Sequence, residues 1–121
     1  IEKGKLSIIE NNKELIVDIK RVYYLYDVPS GEYRGGHAHK ELQQIIIAAN
    51  GSFSLKLSDG SKSKSVLLNK PNEGLVIVPG IWRELSDFSG GAVCLVLASE
   101  VYSEEDYIRD YQEFKSKKIN S

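Results

Sequence analysis

The sequence predicts an all-β fold, an antiparallel sandwich or barrel with one C-terminal α-helix. Three observations carry this. Short runs rich in Val, Ile, Leu, Tyr and Phe recur along most of the chain. Clusters of Gly, Pro, Asn, Asp and Ser part them. Apolar residues at clear helical spacing appear only after residue 103.

In chain order, strands are expected over Lys5–Glu10, Lys20–Asp27, Leu42–Asn50, Ser52–Ser58, Lys64–Leu68, Leu75–Pro79, Arg83–Phe88 and Ala92–Ser99. Pro29-Ser30-Gly31, Asn50-Gly51, Asp59-Gly60, Pro71-Asn72-Glu73-Gly74 and Ser89-Gly90-Gly91 supply the turns. Asp59-Gly60 between two alternating stretches marks a hairpin. Ser103-Glu104-Glu105-Asp106 offers an N-cap and first-turn acids that suit a helix dipole. Tyr107, Ile108, Tyr111 and Phe114 follow at helical spacing, and Lys115, Lys117 and Lys118 close the last turns. These aromatics read as a stripe docking the helix on a sheet rather than as a ligand wall, because so short a helix needs packing to persist.

The chain has 121 residues, which reads as one domain over 1–121. Its formal net charge of -1 provides no global field for nucleic acid or an anionic membrane, so an anionic ligand needs a local arginine cluster. No apolar run approaches the ~20 residues that span a bilayer. The chain opens at Ile1 without methionine, and the expected first strand reads as truncated. Cys94 is the single cysteine and lies in an apolar run, so it reads as a small core residue in a reducing, cytoplasmic protein.

His37 and His39 are the only two histidines. Residues two apart on a strand share a face, so both imidazoles can serve one site. Gly35 and Gly36 precede them and allow close approach of backbone or ligand. In Lys20–Asp27, alternation puts Arg21, Tyr23 and Leu25 on one face. A tyrosine facing an interior is an apolar body with a hydroxyl at its tip, so Tyr23 fits either a proton donor or a core tyrosine. Arg21, Arg34 and Arg83 offer the planar fork that recognises diphosphate. Trp82 fits either a nucleobase stack or core packing.

The spacing Gly31-x5-His37-x-His39-x4-Gln44-x6-Gly51 resembles the first cupin motif, with Gln44 where that motif has glutamate. Pro79-Gly80-Ile81-Trp82-Arg83 resembles the second, but no histidine follows. A neutral amide is a weaker transition-metal ligand than carboxylate, and a nearby guanidinium repels a cation. No metal is therefore expected, and the imidazoles are left for acid–base work.

Several separated blocks resemble one family. Lys20-Arg-Val-Tyr-Tyr-Leu-Tyr-Asp-Val-Pro29, Arg34-Gly-Gly-His-Ala-His-Lys40, Gln43-Gln44, Ile81-Trp82-Arg83-Glu84-Leu85 and Asp106-Tyr-Ile-Arg-Asp-Tyr111 look like the dTDP-sugar 3,4-ketoisomerases, or WxcM-like cupins. Lys3 stands where that family commonly has arginine. The resemblance implies a cupin jelly roll, or double-stranded β-helix, in a homodimer that often exchanges its N-terminal strand. It also implies conversion of a dTDP-4-keto-6-deoxyhexose to the 3-keto isomer without metal or organic cofactor, toward aminodeoxysugars of surface polysaccharide. His37 would be the base, with His39 and Tyr23 assisting. Arg21, Arg34, Gln44, Trp82 and Arg83 would bind substrate. A non-catalytic sugar-nucleotide-binding domain and a dTDP-sugar 3,5-epimerase are the alternative readings.

Overall fold

The computed structural model describes Lys5 and residues 18–119. The expected strand over 5–10, Lys5 apart, and the Lys3 position lie outside the described residues. Two antiparallel sheets face each other. The first has the order β1-β8-β3-β6, from Arg21–Tyr26 (β1), Val93–Ala98 (β8), Gln44–Asn50 (β3) and Gly74–Ile77 (β6). The second has the order β5-β4-β7-β2-β9, from Ser63–Leu68 (β5), Phe53–Ser58 (β4), Trp82–Ser86 (β7), Arg34–His39 (β2) and Tyr107–Ile108 (β9). Helix α1 spans Tyr111–Ile119. The non-consecutive strand order is that of a jelly roll.

Alternation decides which side chains enter the space between the sheets. Phe53, Leu55 and Leu85 enter it from the second sheet; Ile46, Cys94 and Val96 enter from the first. Cys94 is fully buried, and burial pushes its thiol up to about 12, so it packs as a hydrophobe. The expected hairpin joins β4 to β5, with Asp59 Oδ1 accepting from the backbone N–H of Ser61 at 2.9 Å and of Lys62 at 2.8 Å.

Two expectations change. Strand β2 was not among the expected strands, because Arg34-Gly35-Gly36 has little apolar content. It forms because β7 and β9 flank it on either side. The helix also begins later than its spacing suggests. Glu104–Asp106 makes a 3-10 turn, and Ser103 makes no side-chain cap. Tyr107 and Ile108 then pair with His39 and Ala38, so ladder hydrogen bonds override the helical pattern. The working cap is Asp110, whose Oδ1 accepts from the N–H of Gln112 at 2.8 Å and of Glu113 at 3.2 Å. Ala38, Trp82, Ile108 and Phe114 form a second apolar cluster where α1 covers the outer face of the second sheet. Phe114 docks the helix, as its place in the aromatic stripe predicts. No helix among the described residues is long and apolar enough to cross a membrane.

Candidate active site

A cleft of about 520 Å³ opens between the sheets and is lined from both. Sheet register explains its contents. Arg21, Ala98 and Gln44 stand level across the first sheet, and Tyr23 stands level with Val96 and Ile46. Across the second sheet, His37 pairs with Arg83, and Arg83 pairs with Leu57. The inward faces thus bring Tyr23 and Gln44 opposite His37 and Arg83.

His37 owes its direction to a bulge. Gly35 pairs with Glu84 and His37 with Arg83, which leaves Gly36 unpaired between them. Both glycines have positive φ, 85° and 73°. A Cβ on Gly35 would stand 3.1 Å from the Arg83 carbonyl oxygen and 3.1 Å from Leu85 Cδ1. Only glycine lets the two strands close here.

The two imidazoles meet edge to face, with ring centroids 4.8 Å apart. Tyr107 packs on both, at 4.9 Å from His37 and 4.4 Å from His39. His39 is fully buried, and its Nδ1 lies 2.9 Å from Asp106 Oδ2. Asp106 is in turn held by the backbone N–H groups of Glu41 at 2.7 Å and Leu42 at 3.4 Å. A carboxylate can only accept, so Nδ1 carries the proton and Nε2 is left basic. No protein group reaches hydrogen-bond geometry at either nitrogen of His37 or at Nε2 of His39, though the nearby Gly35 backbone favours the protonated form of His37. Burial first, then the Arg83 charge, pushes His37 down to about 3 and His39 to about 4. For His39 the Asp106 hydrogen bond and charge oppose that fall. Both rings are neutral at neutral pH and free to take a proton.

Arg83 is 1% exposed. Its Nε and Nη2 donate to the Ile81 carbonyl at 3.3 and 3.0 Å, and its Nη1 donates to Gln44 Oε1. Burial lowers it to about 10, so it remains a cation beside the histidines. Gln44 Nε2 donates to the Tyr23 hydroxyl at 3.0 Å. Burial raises the Tyr23 phenol, which stays protonated. Arg21 lies over the Tyr23 ring at 5.0 Å and has two buried N–H groups, Nε and Nη2, with no partner. Orphaned donors of this kind call for an anion. Arg34 lines the outer cleft, as do Tyr33 and Arg109.

Six expected site residues thus line one cleft: Arg21, Tyr23, Arg34, His37, Gln44 and Arg83. His39 stands just behind His37. Trp82 is elsewhere. It faces the helix side of the second sheet, 5% exposed, in edge contact with Tyr111, and its Nε1 donates to Glu84 Oε2 at 2.9 Å. It is core, because one step along a strand from Arg83 reverses the face. Tyr107, Arg109 and Asp106 carry site geometry that sequence reasoning missed. The available signal was alternation within Asp106-Tyr-Ile-Arg109, which puts Tyr107 and Arg109 on one face and Ile108 on the other.

A family model described as FdtA: WxcM-like, C-terminal matches residues 1–119. The chain is 46% identical over 113 residues to the TDP-4-oxo-6-deoxy-alpha-D-glucose-3,4-oxoisomerase of Aneurinibacillus thermoaerophilus, covering 93% of this chain and 81% of that protein. Its fold is similar to that of a 3,4-ketoisomerase from Helicobacter canadensis, with a TM-score of 0.94 and 49% identity over 98% of this chain and 90% of the other. It is similar also to a histidine-to-asparagine variant of the 3,4-ketoisomerase QdtA from Thermoanaerobacterium thermosaccharolyticum, solved in complex with TDP-4-keto-6-deoxyglucose. That match has a TM-score of 0.96 and 42% identity, over 99% of this chain and 87% of the other.

Proposed function

The chain belongs to the FdtA family, WxcM-like, C-terminal, and from that premise we propose that it is a TDP-sugar 3,4-ketoisomerase. Its substrate is a TDP-4-keto-6-deoxyhexose and its product the 3-keto isomer. The observation that supports this best is a neutral His37 facing the cleft with no protein partner, beside a buried cationic Arg83.

The 4-keto group acidifies the proton on C3. His37 removes it, breaking the C3–H bond, and the electron pair forms an enediolate across C3 and C4. Arg83 and the Tyr23 hydroxyl face the charge that develops on oxygen, where fixed donors count most. His37 then returns a proton to C4, while the O3 hydroxyl proton passes to O4 through His39 or Tyr23. Atoms and electrons balance with no redox partner. His37 is a weak base in the empty cleft because it is buried beside a cation; an anionic ligand offsets that cation and raises its basicity. Arg21 and Arg34 are the candidates for the diphosphate, whose binding holds the sugar against the base, while Arg109 lines the same cleft paired with Glu104 at 2.7 and 2.9 Å.

The reaction runs without a metal. The amide oxygen a metal would need is hydrogen-bonded to Arg83, and that same cation faces both imidazoles. The enzyme acts as a homodimer. The outer face of the first sheet supports this: Val22, Tyr24, Tyr26 and Val76 are 55, 59, 60 and 46% exposed there. Exchange of an N-terminal strand, which concerns residues outside those described, belongs to the same proposal. So does a cytoplasmic setting, which the free thiol of Cys94 fits. The 3-keto product suits amination at C3, toward deoxyamino sugars of surface polysaccharide.

His37→Asn tests the assignment. Loss of a general base lowers kcat by ~10²–10⁴ with TDP affinity kept. A variant within tenfold of the parent rate would show that another group is the base.

A further inference from the structure

We propose that Gln44 is a positioning residue: its amide fixes the Tyr23 hydroxyl as a donor aimed into the cleft. The geometry stands alone; its catalytic consequence rests on the isomerase reading.

A guanidinium has donors and no acceptor. Whatever faces Arg83 Nη1 must therefore be the oxygen of the Gln44 amide. That choice leaves Nε2, which can only donate, facing the Tyr23 hydroxyl at 3.0 Å. The phenol oxygen accepts this bond and keeps its own proton. Among the described residues, Gln44 is the one hydrogen-bond partner of that hydroxyl, and Tyr23 lines the cleft. The proton is left for a ligand. Gln44 is 2% exposed and level with apolar Ala98 and Ile77, so its amide has no solvent alternative that would let it turn over. Arg83 itself is pinned by the Ile81 carbonyl. Donation thus runs one way, from Arg83 through Gln44 to Tyr23, while the Ile81 carbonyl accepts from Arg83 and holds it in place.

A carboxylate at residue 44 would break this polarity. It accepts only, so it would take bonds from both Arg83 and Tyr23 and turn the phenol proton away from the sugar. The amide at this position does more than forgo a metal ligand: it releases a donor to the reaction.

Two variants and a cycle decide the matter. Gln44→Glu keeps the shape and reverses the polarity; Gln44→Met keeps the shape and removes both bonds. Each lowers kcat by about 10²-fold, the cost of one oxyanion donor, with KM and TDP affinity within about threefold. In a Tyr23→Phe background the same changes alter kcat by less than about twofold, because Gln44 acts through that hydroxyl. Equal losses in both backgrounds would overturn the proposal. A second arm needs no turnover. With ¹³Cζ-labelled tyrosine, Gln44→Met raises the Tyr23 titration midpoint if the amide donates to the phenol oxygen. A lower midpoint would mean that the amide accepts, and would also overturn it. A wild type that leaves the keto sugar unchanged defeats the isomerase reading alone, and the titration still decides the direction of the bond.

Discussion

His37 lines the cleft, and neither of its buried ring nitrogens is hydrogen-bonded to the protein. Its ring touches His39 and Tyr107 and is bonded to neither. An imidazole in water titrates near ~6.5, so half of such rings are unusable as bases at that pH. Here burial and Arg83 bring the value down to about 3. The sign is plain: the depressed value keeps the free enzyme's base unprotonated as pH falls through the ordinary histidine range. His39, at about 4, behaves alike. The log of kcat/KM is therefore expected to stay flat from pH 8 to about 5, since that parameter reports free-enzyme groups. An acid limb with a midpoint between pH 6 and 7 would contradict the placement of His37 beside a buried cation.

Strand β2 is the element on which the site depends, and it was hard to read. The strands β1, β3, β4, β5 and β8 fall within a residue or two of their expected bounds, because each is a run rich in apolar residues parted from the next by turn residues. Strand β2 has glycines where others have valine, and its reason for existing is the bulge at Gly36. Gly35→Ala is expected to cost about 1–3 kcal/mol, from a strained positive φ and a Cβ held against the Arg83 carbonyl. Kcat should fall further than TDP affinity, because the base and its cation shift together. An unchanged thermal midpoint would show that the bulge stores no such constraint. The start of the C-terminal helix is displaced from its expected place for a related reason. Asp106, Tyr107 and Arg109 look like a helix start, yet Tyr107 and Ile108 complete a sheet edge, and Asp106 anchors a histidine 67 residues away. Local spacing carries no information about a partner that distant. Trp82 and Arg83 show the opposite case. Both lie in one apolar stretch, and only the strand's two faces separate a core residue from a site residue.

At the scale of the molecule, two sheets hold the chemistry between them. Tyr23 and Gln44 come from one and His37 and Arg83 from the other, and the Arg83–Gln44–Tyr23 chain of hydrogen bonds crosses the gap. Cations gather at the cleft: Arg21, Arg34 and Arg83 line it, and Arg109 joins them in an ion pair with Glu104, in a chain of net charge -1. That asymmetry suits a small anionic ligand and no extended polyanion. The histidine spacing, the tyrosine and the three arginines of the expected site were legible because strand alternation and motif spacing are local. The bond direction that Gln44 imposes was not, because it depends on which sheet Arg83 faces. In the proposed reaction one carbon acid loses a proton at C3 and its neighbour gains one at C4. NMR of TDP-4-keto-6-deoxyglucose incubated with the enzyme in deuterated water reads this most directly. The carbonyl is expected at C3, with deuterium at C4 to the extent that the His37 proton exchanges with solvent before its return, and none at C5. A carbonyl still at C4 with label at C3 and C5, or a substrate left unchanged, would contradict it.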